Sequence, residues 1–285
     1  MPELPEVEIT ARRLDAALAG TAIESATAPG INALKTFDPP LSALDGQTVR
    51  GVRRIGKHLV VDIADDLHVL CHLMSAGRLQ LFSKRAGPRD RTSRLLLRLP
   101  DEHELRLREF GTRQQAWVKL LRGEDAVRED AAITTLGPEA WPDPPADLAA
   151  LLAPAGARPL HAVLRDQRVI AGIGRSWVDE ILWLAELSPF KRGDDLKVEE
   201  AERLRAAILA KLGGAIERYE QKVKLPIPDK LPLPLEVHRQ EGKPCPRCGT
   251  TLEAVHYESY VMAYCPTDQT GGKVLKDRRL SRLLK

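Results

Sequence analysis

Residues 5–18 place Val7, Ala11, Leu14 and Leu18 at helical spacing, with Glu6, Glu8, Arg12 and Arg13 on other faces. This predicts an amphipathic helix that stops at Gly20. From about residue 21 to 121 the period changes. Short runs rich in Val, Leu and Ile at 57–63, 67–74, 93–99 and 115–121 alternate with Gly, Pro and Asp. Several strands at that spacing read as a β-sandwich. Pro138, Pro142, Pro144, Pro145, Pro154 and Pro159 then mark a boundary between a β-rich half and a helical half. Beyond it, 160–166 reads as a short apolar helix, 172–174 as a glycine-punctuated turn, and Trp177, Ile181, Leu184 and Ala185 as the buried stripe of a second helix. A longer amphipathic helix is expected over 197–220. The proline-spaced stretch 225–235 cannot continue it.

A chain of 285 residues with 43% apolar and 29% charged residues is long enough for several domains and too apolar for disorder. No apolar run approaches the roughly 20 residues that a spanning helix needs. The first ten residues carry acids where a signal peptide would be basic and then apolar, so the expected location is cytoplasmic. The net charge of +3 says little about a partner, but its distribution says more. Residues 221–285 hold 12 Lys and Arg against 7 Asp and Glu, whereas residues 1–220 hold 31 against 33.

Cys71 stands alone in an apolar stretch, while Cys245, Cys248 and Cys265 crowd into one segment. That distribution is unlike a secreted disulfide framework. Cys245-Pro-Arg-Cys248, sixteen residues, then Cys265-Pro-Thr-Asp268 has the spacing of a zinc ribbon, with Asp268 where a fourth cysteine would stand. Structural zinc on Cys245, Cys248, Cys265 and Asp268 is the expected cofactor. A ribbon folded without metal around Tyr257, Tyr260 and Tyr264 remains the alternative.

Pro2 is the other chemically suggestive feature. Removal of Met1 would expose a secondary amine with a far larger neutral fraction at pH 7 than lysine has. Such an amine can attack a sugar carbon and form an iminium, with Glu3 and Glu6 close by in sequence to move protons. Read alone, Pro2 also fits as a helix-start residue with acids in the first turn.

MPELPEVE at the N-terminus, Gly56-Lys57-His58, Arg108-Glu109-Phe110-Gly111, Gly172-Ile173-Gly174 opening a helix with Asp179-Glu180, and the terminal cysteine ribbon occur in that order. Together they resemble the bifunctional formamidopyrimidine-DNA glycosylase and endonuclease VIII family over essentially the whole chain. The resemblance implies an α+β multidomain fold. Its parts would be an N-terminal β-sandwich with flanking helices over 1–125, a linker over 126–147, a helix-two-turns-helix DNA-binding domain over 148–236, and a zinc-ribbon-like β-hairpin with a basic tail over 237–285.

It also implies a monomeric DNA base-excision repair enzyme acting on damaged double-stranded DNA: a glycosylase with lyase activity at abasic sites. The target nucleotide would be flipped from the stack. By position, Pro2 would be the Schiff-base nucleophile, Glu3 the general acid/base, and Lys57 a phosphate-binding residue and proton donor for β-elimination. His72 would match a phosphate contact. Met74 or Ser75, with Arg108 and Phe110, would match the wedge that fills the hole left by the flipped nucleotide. A loop within 221–236 is expected to shape lesion choice.

Four positions depart from the family pattern. Glu109 stands where a second phosphate-binding arginine is usual, and a carboxylate there is expected to repel phosphate. Arg175 replaces the asparagine that follows the Gly-x-Gly turn, and Tyr260 replaces an arginine associated with δ-elimination and phosphate grip. Asp268 replaces a cysteine. Arg175 and Tyr260 are retained as candidate DNA-binding residues, and base excision with β-elimination is favoured over δ-elimination. The tail from Lys273 to Lys285 carries six basic residues against one acid and could add non-specific affinity, or be a solvated helix. Two rival readings stand beside this one: a non-enzymatic binder of damaged or abasic DNA, motivated by Glu109, Arg175 and Tyr260, and a zinc-ribbon interaction or transcription module whose N-terminus is merely structural.

Overall fold

The computed structural model describes residues 2–30, 32–87, 90–110, 114–232, 234–257 and 260–275, the side chain of Tyr257 excepted. Most of the basic tail therefore lies outside the described residues. The chain forms two compact units, Met1–Thr135 with Ile216–Pro232, and Leu136–Ala215 with Leu233–Lys285. No helix among the described residues is long and apolar enough to cross a membrane.

The first unit opens with α1 (Leu4–Leu18). Glu3 caps it: the Glu3 N–H donates to Glu6 Oε2 at 2.8 Å and the Glu3 side chain faces the Glu6 backbone, a capping box ahead of Pro5 in the first turn. Eight strands follow: β1 (Ser25–Thr27), β2 (Val49–Ile55), β3 (His58–Ile63), β4 (Leu67–His72), β5 (Gly77–Phe82), β6 (Ser93–Arg98), β7 (Glu104–Glu109) and β8 (Trp117–Arg122). They pair antiparallel into two four-stranded sheets, ordered β1-β6-β7-β5 and β2-β3-β4-β8. Alternation puts Leu59, Val61, Val69 and Cys71 of one sheet against Leu79, Leu95, Leu97, Leu105 and Leu107 of the other, and Val7, Leu14 and Leu18 of α1 belong to the same core.

The opposite face of β3 and β4, through Val60 and Leu70, meets Val127 of α2 (Glu124–Arg128) and Ile133 of α3 (Ala131–Thr134). The hairpins β3-β4 and β6-β7 turn on Asp65-Asp66 and Asp101-Glu102, all four at positive φ. These acidic pairs adopt a backbone usually given to Asn-Gly, which is why neither turn stands out in the sequence.

The second unit contains α4 (Leu148–Leu152), α5 (Leu160–Val163), α6 (Arg175–Leu184) and most of α7 (Val198–Lys222), whose last turns belong to the first unit. A hairpin of β9 (Glu253–Tyr257) and β10 (Tyr260–Tyr264), followed by α8 (Pro266–Thr270), completes it. Trp183, Val237, Cys245, Leu252 and Cys265 form a small core beneath that hairpin.

Two acids of α6 are buried, and each is fully occupied. Glu180 Oε1 accepts the N–H groups of Glu236, Val237 and His238 at 2.8–3.0 Å, and its Oε2 lies 3.2 Å from Lys211 Nζ. Asp179 bonds His161 Nε2 at 3.0 Å, His238 Nδ1 at 2.7 Å and the Ala263 N–H at 3.2 Å. Without those partners two buried carboxylates would be strongly unfavourable. With them, α6 holds both ends of the cysteine segment.

Candidate active site and nucleic-acid interface

Pro2 is buried in a chain that still carries Met1 on its nitrogen, and Glu3 is 3% exposed. Glu6, expected only to assist, organises this corner. Its Oε2 takes the Glu3 N–H, and its Oε1 accepts the phenol of Tyr219 at 2.9 Å. Burial, then the charge of Glu6, raises the Tyr219 phenol well above its ordinary value, so it remains a donor. Tyr219 comes from α7, more than two hundred residues away, and no local sequence signal marks it.

Lys57, 5% exposed, sits in the tight turn between β2 and β3, where Gly56 has φ +57°. That turn is tied to α1 by a relay: Arg54 Nε donates to Glu8 Oε2 at 2.8 Å and Arg54 Nη1 to the Gly56 carbonyl at 2.9 Å. The helix bearing Glu3 and the turn bearing Lys57 are thus held by one guanidinium whose side chain is 5% exposed.

His72 ends β4. Its ring lies 4.6 Å from that of His58 and stacks on Trp117 at 5.8 Å. Burial first, then the charges of His58 and Lys57, lower its pKa to about 3; burial lowers that of His58 to about 4. His72 is therefore neutral at pH 7. Because the Met74 N–H donates to its Nδ1 at 3.0 Å, the proton sits on Nε2. The same bond holds Met74 in a left-handed conformation, φ +49°, a strained position for a side chain with a Cβ. Gly77 closes this turn at a point where a Cβ would run into the Leu73 carbonyl.

Arg108 and the 43%-exposed Phe110 meet directly, the guanidinium carbon 4.5 Å from the ring centroid. The Phe110 N–H reaches the Ala76 carbonyl, so the Met74 turn and the Phe110 segment are neighbours. Sequence order alone grouped these residues, and the sheet brings them together. Arg108 is already engaged, however, by Thr92 Oγ1 at 3.1 Å, Gln80 Oε1 at 3.2 Å and Asp229 Oδ1 at 3.3 Å. Asp229 belongs to the proline-spaced loop, which Arg78 and Gln80 fasten onto β5 through the Asp229 and Ile227 carbonyls.

Glu109 corrects an expectation. It does not face outward to repel a phosphate. It is 3% exposed, its Oε1 accepts the N–H groups of Gln115 and Ala116 at 2.6 and 2.9 Å, and Arg94 Nε lies 3.7 Å from its Oε2. Pairing of β7 with β5 turns position 109 inward, and the carboxylate ties together the two ends of the loop that starts at Phe110.

In the second unit, Arg175 is the first residue of α6, capped by Gly174, and Tyr260 opens β10. The Arg175 guanidinium lies 5.8 Å from the Tyr260 ring. Both stand together near the Gly-x-Gly turn.

Against known proteins, residues 1–113 match the formamidopyrimidine-DNA glycosylase N-terminal domain and residues 136–226 the formamidopyrimidine-DNA glycosylase H2TH domain. The chain belongs to the formamidopyrimidine-DNA glycosylase family. An uncharacterized formamidopyrimidine-DNA glycosylase-like protein of Mycobacterium tuberculosis is 42% identical over 150 residues, 53% of this chain and 94% of its own. The formamidopyrimidine-DNA glycosylase of Moorella thermoacetica is 33% identical over 270 residues, covering 90% and 94%. Among solved structures, Lactococcus lactis Fpg in complex with DNA containing N7-benzyl-Fapy-dG superposes with a TM-score of 0.83 at 26% identity, covering 94% of this chain and 100% of the other. The family's β-sandwich, helical domain and terminal cysteine-bearing hairpin are all present, and as a family member the protein is a DNA glycosylase acting on damaged DNA.

The glycosylase's C-terminal segment brings Cys245, Cys248, Cys265 and Asp268 together, with one donor atom from each, all within 4.8 Å of one another. Cys248 and Cys265 Sγ lie 3.4 Å apart, as do Cys245 Sγ and Asp268 Oδ2. A tetrahedral ion with metal–sulfur bonds of about 2.3 Å sets its sulfurs about 3.8 Å apart, so a few tenths of an ångström of relaxation would seat it. The cluster can therefore hold a metal ion. Arg247 Nη1, 3.7 Å from Asp268, partly offsets the negative charge of the donor set. A second group, Asp62, His68 and Glu124, is poorer, because Arg53 already bridges both carboxylates at 2.6–2.7 Å.

Proposed function

We propose that this family member removes oxidised bases through an imine at Pro2 and then nicks the strand by β-elimination. The observation that carries the reading is the corner around the N-terminus, where two buried carboxylates, Glu3 and Glu6, are organised by a capping box and by Tyr219 directly beside Pro2. Once Met1 is removed, the Pro2 nitrogen is a secondary amine. Its lone pair attacks C1′ of the flipped nucleotide, the glycosidic bond breaks, and the departing base takes a proton from Glu3. The amine proton passes to Glu3 and from it to O4′ as the C1′–O4′ bond opens, and the ring-opened iminium so formed acidifies C2′. Loss of that proton expels the 3′ phosphate, and water then releases the sugar from the protein. Lys57, fixed in its turn by Arg54, supplies charge at the phosphate and a proton to the leaving groups.

His72 takes a phosphate oxygen as a neutral Nε2–H donor. Met74, Arg108 and Phe110 fill the vacated stack after Arg108 exchanges Asp229 for DNA. Double-stranded damaged DNA is the partner, engaged by a monomer, and zinc on Cys245, Cys248, Cys265 and Asp268 folds the ribbon without taking part in the chemistry.

The decisive experiment is borohydride trapping with native-N-terminus protein and an abasic-site duplex. A covalent adduct is expected, and protein retaining Met1 should form none. No adduct with the processed protein overturns the reading. Glu3→Gln should lose base excision while keeping most lyase activity on a pre-formed abasic site, because the leaving base needs a proton and the aldehyde does not. Equal loss of both activities would contradict the role given to Glu3.

A further inference from the structure

Tyr260 stands on a built platform. Its ring stacks on His161, centroids 5.5 Å apart and planes 15° apart. His161 is fully buried, bonded through Nε2 to Asp179, and the Ala263 N–H of the strand that carries Tyr260 bonds the same carboxylate. Arg165, which no sequence motif singled out, lays its guanidinium carbon 3.9 Å from the centroid of the Tyr260 ring. Arg175 approaches the same ring from the start of α6.

Two guanidiniums thus converge on one aromatic ring. Among the described residues no carboxylate lies within ion-pair distance of Arg165, and its buried Nε has no hydrogen-bond partner. Asp179, whose charge acts on it, is already held by two imidazoles and a backbone N–H. Burial lowers the Arg165 pKa, the Tyr260 phenol that hydrogen-bonds it opposes the shift, the charge of Arg175 adds to it, and the guanidinium stays charged at pH 7. An anion placed between the two guanidiniums would relieve both penalties, and the α6 N-terminus, capped by glycine without a side-chain acceptor, favours the same charge.

We propose that Arg165, acting with Arg175 across the face of Tyr260, binds one phosphodiester of the DNA strand. The cation missing from position 260 is in this way supplied by the segment between α5 and α6. The inference rests on the proposed engagement of damaged DNA, and its site lies wholly within the second unit.

The test measures affinity of the full chain for a duplex containing a tetrahydrofuran abasic analogue between 50 and 200 mM KCl. Each phosphate neutralised contributes about 0.9 to the slope of log affinity against log salt. Arg165→Met should weaken binding and lower the slope by about that amount, so the loss of affinity across this range becomes about threefold smaller. Arg165→Lys, which keeps the charge, should retain the slope. Arg165→Met with Tyr260→Arg, which moves the cation onto the hairpin, should restore it. An unchanged slope in Arg165→Met, a Lys variant that behaves like Met, or a double variant without restoration overturns the clamp and leaves the imine chemistry standing. Wild-type protein that binds this duplex but gives no borohydride adduct with a natural abasic-site duplex overturns the chemistry, and the slopes still decide the clamp. Failure to bind duplex at all overturns both.

Discussion

Tyr219→Phe isolates the bond by which α7 reaches the N-terminal corner. Tyr219 is 1% and Glu6 5% exposed, and the hydroxyl donates to a carboxylate that is also holding the Glu3 N–H. Hydrogen bonds to charged groups contribute about 1.5–3 kcal/mol, and deleting a donor inside the fold leaves the anion short of a partner, so a loss of about 2 kcal/mol is expected. The readout is amide hydrogen exchange of α1, which reports the first unit alone. At 1.4 kcal/mol per tenfold, exchange through global opening should accelerate about thirtyfold.

The control is the same change in a Glu6→Gln background. There the lost bond is between neutral groups, is worth about 1 kcal/mol, and should accelerate exchange only about fivefold. The loosened Glu3 N–H should also slow imine trapping. Equal acceleration in both backgrounds, or less than twofold in the first, would refute the claim that a charged bond organises this corner.

Two further outcomes follow from the titrating groups and the ribbon. His58 and His72 stay neutral when folded, down to about pH 4 and 3, but take up protons near pH 6.5 when unfolded. Their contribution is therefore complete above pH 6.5 and is lost as pH falls toward 4, by roughly 3 kcal/mol per ring. His161, also lowered by burial, adds to the same slope in the second unit. Denaturation midpoints should drop between pH 7 and about 4.5, with a flatter profile in His58→Gln; a profile equally steep in that variant would argue against this account. Elemental analysis should find about one zinc per chain, lost in Cys265→Ser, with Asp268→Cys slowing removal by chelator. A folded hairpin with no metal would cancel the ligand assignment.

The wedge segment shows where reading along the chain stopped short. Arg108, Phe110 and Met74 are recognisable by type and order, but the strand register that turns Glu109 inward, and so makes it a loop tie rather than a phosphate repellent, is a property of β5-β7 pairing. A single residue of register reverses a side chain's face, and no local pattern records it. Arg165 and Tyr219 were invisible for a related reason. Each is an unremarkable residue on or near a helix whose importance comes from a ring or carboxylate far away in sequence.

Periodicity and punctuation were enough to determine the helix that starts at Leu4, the β-rich half, the break in helix before the proline-spaced loop, and the cysteine spacing, because each depends on residues within a few positions of one another. What the tertiary structure alone decided was which charges are satisfied. Glu6 by Tyr219, Glu109 by two backbone amides, Asp179 by two histidines, and the guanidinium of Arg165 left facing an aromatic ring are outcomes of chain crossings. A buried charge is costly until a partner arrives, and in this protein the partners arrive from elsewhere in the fold.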